Sequence, residues 1–191
     1  MVPVYELPNG AILTESKVQM DYIEDAYPGQ GYSLLPEDPV KRAYMRIAIN
    51  LVDNLNGVWY PILFKKAYDE ADFKNLREKL QKIEDFIAAN GSDASPFAQG
   101  TPNPTQLDIH IFTHVERINM IKGSVWHDLF WKNVGFENYP RILKLLVGIR
   151  ARPEFSGILA NPKPQHELLA QFAEKPPGVR VQLYLPISND E

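Results

Sequence analysis

The first sixteen residues constrain the fold most, because they predict a short hairpin that leads directly into a helix. Two apolar runs, residues 1–7 and 11–14, flank the turn sequence Pro8-Asn9-Gly10. Asn-Gly favours a tight hairpin turn, since both central turn positions need a positive φ. Thr14 and Ser16 are residue types that cap helix N-termini, so we expect a helix over residues 15–26. The chain should therefore begin with the order strand, strand, helix.

From Pro39 onward the sequence predicts only helices until its final residues. Asp38 is placed to cap the first of them and Pro39 to occupy its first turn, where the missing N–H costs nothing. Apolar residues at helical spacing predict which face points inward. We expect that face to hold Val40, Ala43, Tyr44, Ile47, Leu51 and Leu55. Gly57 and Pro61 should bend or break this 39–67 segment near Trp59.

Further periodic segments predict the remaining helices. The helix over 70–89 should end at Asn90-Gly91 with a left-handed cap, and a loop should follow over 92–104. Thr105 and Asp108 form a capping-box pattern at the next helix start. The predicted segments are 105–122, a short helix within 124–137 that ends before Gly135, 139–151 and 164–174. Residues 178–186 alternate like a strand, which favours either a tail over the core or pairing with the hairpin.

Composition excludes several classes of function. The net charge is −4 with acids and bases interspersed, and no basic stripe predicts nucleic-acid binding. No apolar run reaches the roughly 18–20 residues that span a bilayer, and no signal-peptide pattern precedes the first strand. We therefore expect no membrane association and a cytoplasmic location. The chain has no cysteine, so these residues form no disulfide, thiolate metal site or cysteine nucleophile.

Several motifs occur in an order that resembles the cytosolic glutathione transferases, with the omega-like branch closest. They are Val-Pro-Val-Tyr-Glu-Leu, the hairpin with Thr-Glu-Ser, Leu34-Leu35-Pro36, the Thr105–Asp108 box and Arg152-Pro-Glu-Phe. The resemblance implies a mostly α fold, an all-helical glutathione-transferase-type C-terminal domain preceded by a β-β-α remnant of a thioredoxin-like domain. The implied divisions are 1–28 for the remnant, 29–38 for the linker and 39–191 for the helical domain with an extended tail.

The same resemblance implies a glutathione half-site at the hairpin and the first helix. Its residues would be Val2, whose backbone pairs with the cysteinyl part, Pro3 as a cis proline, and Glu15 with Ser16 for the γ-glutamyl end. The chemistry agrees, because a helix N-terminus offers free N–H groups and a positive dipole end to a carboxylate. In the family, the half-domain with the catalytic nucleophile precedes this point, so we expect it to be missing from these residues.

Aromatic and histidine residues suggest two further sites. An electrophile pocket would be lined by Tyr44, Trp59, Tyr60 and His114, and the alternative for each is ordinary core packing. His110 and His114 share a helix face at a spacing that can bind a metal. We disfavour a metal site, because no glutamate follows the first histidine as in His-Glu-x-x-His and no third ligand is evident.

Two functions follow as alternatives. The first is an omega-like glutathione transferase, a homodimer that uses glutathione as co-substrate to conjugate or reduce small electrophiles or disulfides. This function is expected only when the missing N-terminal segment is supplied. The second is a non-catalytic glutathione-transferase-like module for binding or assembly. No catalytic residue is identified within the chain.

Overall fold

The N-terminal unit has the predicted order of strand, strand and helix. The computed structural model describes residues 3–62, 69–119, 127–156 and Glu167. β1 (Val4–Glu6) and β2 (Ile12–Thr14) pair antiparallel, with Val4 opposite Thr14. Gly10 closes the turn at φ 81° and donates its N–H to the Leu7 carbonyl at 2.8 Å. α1 (Ser16–Ala26) follows, and none of its residues is buried.

The rest of the described chain is helical, which confirms the predicted mostly α fold with a small β-β-α unit. Two short 3₁₀ helices follow α6 and α7, at Phe136–Asn138 and Pro153–Phe155. The six further α-helices are α2 (Pro39–Asp53), α3 (Asn56–Ile62), α4 (Glu70–Asn90), α5 (Gln106–Asn119), α6 (His127–Val134) and α7 (Pro140–Arg150).

The hydrophobic core lies between α2, α4, α5 and α7. α4 and α5 are both central, because each of them contacts α2 and α7. Side chains such as Met45, Leu76, Leu107, Ile111 and Leu145 are completely buried. Full burial of a side chain of this size contributes about 1.5–3 kcal/mol, so the helical body carries most of the apolar stabilisation.

The predicted inner face of α2 is wrong. The buried residues are Met45, Ala48, Ile49 and Val52. Of the predicted set, Leu55 is buried and Leu51 half-buried, whereas Val40, Ala43, Tyr44 and Ile47 are exposed. The helix carries two apolar stripes of similar spacing, and periodicity alone does not say which one meets the core. We call Val40, Tyr44 and Ile47 the outer stripe of α2; they are 60%, 49% and 58% exposed.

Two predicted helix boundaries also differ from the structure. The break falls at Asn54 and Leu55, before Trp59, and α3 continues through Pro61. Gly91 ends α4 in an extended conformation at φ −85°, so the predicted left-handed cap is wrong. A Cβ at Gly91 would lie 2.6 Å from the Ile87 carbonyl oxygen. Glycine is therefore required there for close approach of the backbone rather than for a positive φ.

Carboxylate side chains accept hydrogen bonds from N–H groups at the starts of several helices. Asp38 accepts from the Val40 N–H at 2.7 Å, as predicted, and Asp69 forms a capping box with Asp72 that the sequence reading missed. Glu84 of α4 is buried and accepts from the first-turn N–H groups of Arg141 and Ile142 in α7, each at 3.0 Å. This last contact fixes α7 against α4.

The predicted 164–174 helix and the strand-like tail at 178–186 lie outside the described residues. The motif that begins at Arg152 forms the second 3₁₀ helix, over Pro153–Phe155. Within the ranges that the structure describes, no helix combines the length and the apolar composition needed to cross a bilayer.

Candidate functional site

The N-terminus of α1 has an open first turn. Glu15 precedes the helix at φ 67° and ψ 113°, and it is the one non-glycine residue with a positive φ in the described ranges. The Glu15 side chain makes no capping hydrogen bond, and the first turn contains no acidic residue. The capping by Thr14 or Ser16 that the sequence suggested is therefore not formed. A non-glycine residue in this region costs on the order of 1–3 kcal/mol, and such strain is often found at functional sites.

Four other helix starts show why this opening matters. Asp38, Asp69 and Glu84 serve α2, α4 and α7. At the start of α5, Asp108 accepts from the N–H and Oγ1 of Thr105, each at 2.7 Å. Each of these N-termini is thus served by a carboxylate of the chain itself. The exposed N-terminus of α1 has none, so it is available to a carboxylate from a ligand.

Gln19 holds this helix start against both strands. Its Nε2 donates to the Pro3 carbonyl at 3.2 Å and to the Leu13 carbonyl at 3.0 Å. Its backbone N–H donates to the Glu15 carbonyl at 3.0 Å. The structure therefore brings Pro3, Glu15 and Ser16 together on one exposed corner of the molecule. Val2, the remaining residue of the predicted half-site, lies outside the described residues.

Polar contacts join this corner to the helical body. Lys17 Nζ lies 2.5 Å from Asp53 Oδ2, which links the first turn of α1 to the end of α2. One helical turn further along α1, Asp21 accepts from Nε2 of Gln106 at 3.0 Å. Sequence reasoning missed Lys17 and Asp53, because a pair 36 positions apart leaves no local pattern.

His110 lies beside the same ion pair. It is 6% exposed, and its Nδ1 is 3.8 Å from Asp53 Oδ1. Its Nε2 is buried and has no hydrogen-bond partner among the described residues. Burial lowers the pKa of His110, and the nearby Asp53 carboxylate opposes that shift. Burial thus favours the neutral form of the imidazole.

His114 lies one turn further along α5, and its pKa is also lowered. Its Nδ1 donates to the His110 carbonyl at 2.9 Å, and burial is the main cause that lowers its pKa. The two imidazole rings stack with centroids 6.4 Å apart. The described residues contain no group of three or more histidine, aspartate or glutamate side chains placed to hold a metal ion.

The four predicted pocket residues are spread over three helices. Trp59 is buried in the core, His114 is half-buried on α5, and Tyr44 is exposed on the outer stripe of α2. Tyr60 lies in α3, and the structure does not describe its side chain. These positions alone do not test whether the four side chains line one pocket. The pocket therefore stays a prediction.

Known proteins that resemble this chain are glutathione transferases. The chain is 31% identical over 164 residues to a probable glutathione S-transferase of Solanum tuberosum, covering 78% of this chain and 72% of that protein. It is 34% identical over 82 residues to glutathione S-transferase omega-1 of Sus scrofa, covering 43% of this chain and 32% of that protein. The chain matches no profile of a known protein family.

Solved structures of glutathione transferases share the fold of this chain. A trimeric glutathione transferase of Leishmania has a TM-score of 0.73 at 19% identity, covering 90% of this chain and 38% of that one. A Bombyx mori glutathione transferase has a TM-score of 0.65 at 27% identity, covering 90% and 73%. The chain spans only 32% and 49% of the length of the omega-1 proteins of Sus scrofa and Mus musculus.

Proposed function

Because this chain belongs to the glutathione transferase family, we propose that its β1–β2–α1 corner binds glutathione for transfer to small electrophiles or disulfides. The observation that carries this proposal is the exposed, uncapped N-terminus of α1 beside Pro3. It offers what the γ-glutamyl carboxylate needs, unpaired N–H groups and a positive dipole end. No segment of the described chain competes for that position.

Each residue of the half-site has a distinct role in the proposal. Ser16 donates its backbone N–H and hydroxyl to the γ-glutamyl carboxylate, and Glu15 accepts from the ammonium group. The backbone of Val2, set by Pro3, pairs with the cysteinyl part of glutathione. Glu15, at φ 67°, directly precedes the first-turn N–H groups of α1.

The transfer itself needs the glutathione thiolate as nucleophile. The thiolate attacks an electrophilic carbon, and either a leaving group departs with its bonding electron pair or, at an activated double bond, the neighbouring carbon takes up a proton. At a disulfide, the thiolate attacks one sulfur, the S–S bond breaks and the other sulfur departs as a thiolate. The 191 residues contain no cysteine, so a cysteine-based omega-like step requires a cysteine from outside them. We propose that the electrophile binds near Trp59, Tyr60 and His114. Tyr44, by contrast, we assign to the outer stripe of α2. The proposed location is the cytoplasm.

Titration calorimetry with glutathione at pH 7 tests the half-site. We expect wild-type protein to bind, Ser16→Ala to bind at least about fivefold more weakly, and Ser92→Ala to match wild type. Ser92 is a suitable control, because it is also an exposed serine but lies in the loop after α4. Binding that is absent in wild type, or unchanged in Ser16→Ala, would overturn the proposed site.

The outer stripe of α2 favours an interface as a second function. Val40, Tyr44 and Ile47 form an exposed apolar strip along a helix whose opposite side already fills the core. Such strips mark interaction surfaces, and soluble oligomers are most often symmetric copies of one chain. We propose that a second copy of this chain covers the strip, as either a catalytic or a non-catalytic homodimer.

Light scattering after size exclusion tests this interface. Ile47→Glu should shift a dimer toward monomer, because a buried unpaired carboxylate opposes association. Val147→Glu on α7 is the matched control, since Val147 is an equally exposed apolar residue outside the strip. A monomeric wild type, or equal effects of the two substitutions, would contradict the interface.

A further inference from the structure

A buried histidine lies behind the proposed glutathione half-site and touches none of its residues. We propose that His110 is a positioning residue, which holds Asp53 in the orientation that fixes Lys17 and the first turn of α1. This inference rests on the proposed glutathione binding, and it adds a residue from α5 that the half-site itself does not contain.

The geometry gives a continuous path from α5 to the half-site. Asp53 has two carboxylate oxygens, and each faces a different partner. Oδ2 lies 2.5 Å from Lys17 Nζ, and Oδ1 lies 3.8 Å from His110 Nδ1. Lys17 follows directly after Glu15 and Ser16. A change at His110 is therefore two contacts away from the residues that receive the γ-glutamyl group.

The orphaned ring nitrogen makes His110 sensitive to protonation. In the neutral ring one nitrogen carries the proton, and the Asp53 carboxylate 3.8 Å from Nδ1 favours the tautomer with that proton on Nδ1, which leaves Nε2 as an acceptor. Protonation places a second N–H on Nε2, where the described residues offer no acceptor. A buried donor without a partner is unfavourable, so the charged ring must move or admit water.

The charged groups around His110 show where such a movement would be felt. They are Asp53 from α2, Lys17 and Asp21 from α1, and His114 from its own helix. Asp21 is already bonded to Gln106. Asp53 is thus the acid that a charged His110 would draw, and Lys17 is the cation that would lose part of its partner. The half-site should loosen as His110 gains its proton.

Glutathione affinity measured by calorimetry at pH 7.0 and pH 5.5 tests this coupling. The carboxylates of glutathione stay ionised and its amine stays protonated across this interval, so its own charge does not change. We expect wild-type affinity to be lower at pH 5.5 than at pH 7.0 by about twofold or more, because glutathione binds the form in which His110 is neutral. His110→Asn and Asp53→Asn should each remove this dependence on pH.

His114→Asn is the matched control, because it removes a histidine of the same helix face whose Nδ1 bonds a backbone carbonyl rather than facing Asp53. It should keep the wild-type decrease in affinity at pH 5.5. Imidazole NMR signals, which do not depend on ligand, should show His110 titrating below its ordinary range in wild type and Asp53→Asn. His110→Gln replaces His110→Asn if circular dichroism shows the latter unfolded.

The outcomes separate this inference from the proposed function. Binding at pH 7.0 that is insensitive to pH, or a decrease that persists in His110→Asn, overturns the role of His110 and leaves glutathione binding intact. Absence of binding by wild type at pH 7.0 overturns both. A decrease that disappears in His110→Asn and Asp53→Asn and persists in His114→Asn supports the positioning role.

Discussion

Replacing Asp108 should destabilise the protein far more than replacing an exposed helix cap. Asp108 is completely buried at the start of α5. It accepts from the Ala98 N–H through Oδ1, and from the Thr105 N–H and hydroxyl through Oδ2, each at 2.7 Å. Burial raises the pKa of Asp108, and these donors oppose that shift. The side chain therefore joins α5 to the preceding loop at a point without solvent.

The size of the effect follows from the donors that would be left behind. Asparagine at this position can turn its oxygen toward Thr105 or toward Ala98, but it then directs an NH₂ group at the other donor. One buried unsatisfied N–H costs about 1–3 kcal/mol, so Asp108→Asn should lose about that much. Alanine leaves the N–H groups of both residues unpaired, and Asp108→Ala should lose about 2–6 kcal/mol. Typical stabilities are only about 5–15 kcal/mol.

Urea unfolding at pH 7, followed by circular dichroism, measures these losses. Asp69→Ala is the matched control for Asp108→Ala, because Asp69 also caps a helix but is exposed. Its loss should stay near the ordinary cap value of about 0.5–2 kcal/mol. Equal losses for Asp108→Ala and Asp69→Ala would refute the reasoning that burial of the donors sets the magnitude.

The protein should also lose stability on mild acidification, because burial lowers the pKa of His110 and His114 in the folded state. The unfolded chain binds more protons below about pH 6.5, so the free energy of unfolding should fall as the pH drops from about 6.5 toward the lowered pKa values. Urea unfolding at pH 7.5 and pH 5.5 measures this decrease, and an equal decrease in a His110→Asn, His114→Asn double variant would contradict it. Gly148→Ala should lower stability by about 1–3 kcal/mol, since a Cβ there would meet the Pro96 ring at 2.6 Å. Gly57→Ala should be neutral or stabilising by up to about 1 kcal/mol, because a Cβ there meets nothing within 4 Å; thermal unfolding of the two variants in parallel checks the pair, and a loss at Gly57 would contradict it.

Short sequence motifs predicted the fold well where a residue type has one common structural role, such as a turn or a helix cap. Asn9-Gly10, Asp38-Pro39 and the Thr105–Asp108 box each marked a turn or helix start that the structure contains. Such signals depend on the backbone of a few neighbouring residues, so they survive whatever packs around them. The order of elements could therefore be predicted from short motifs alone.

Tertiary choices could not be predicted in the same way. Both stripes of α2 are apolar, and only the positions of α4 and α5 decide that Met45 rather than Tyr44 meets the core. Asn90-Gly91 predicts a left-handed cap, but glycine is required at position 91 because the Ile87 carbonyl oxygen lies close to it. At the candidate site, the motif predicted Pro3 and Glu15, whereas Lys17, Asp53 and His110 become partners only in three dimensions.

The β1–β2–α1 corner has no buried residue of its own, and ionic and polar contacts attach it to a helical body that contains the apolar core. A domain whose parts are joined in this way need not unfold as one unit. Raised ionic strength screens the exposed ion pair of Lys17 without weakening the core. Added salt should therefore make the corner the first part that a protease cleaves. The fragment that remains should keep the helices of the body, α2 to α7.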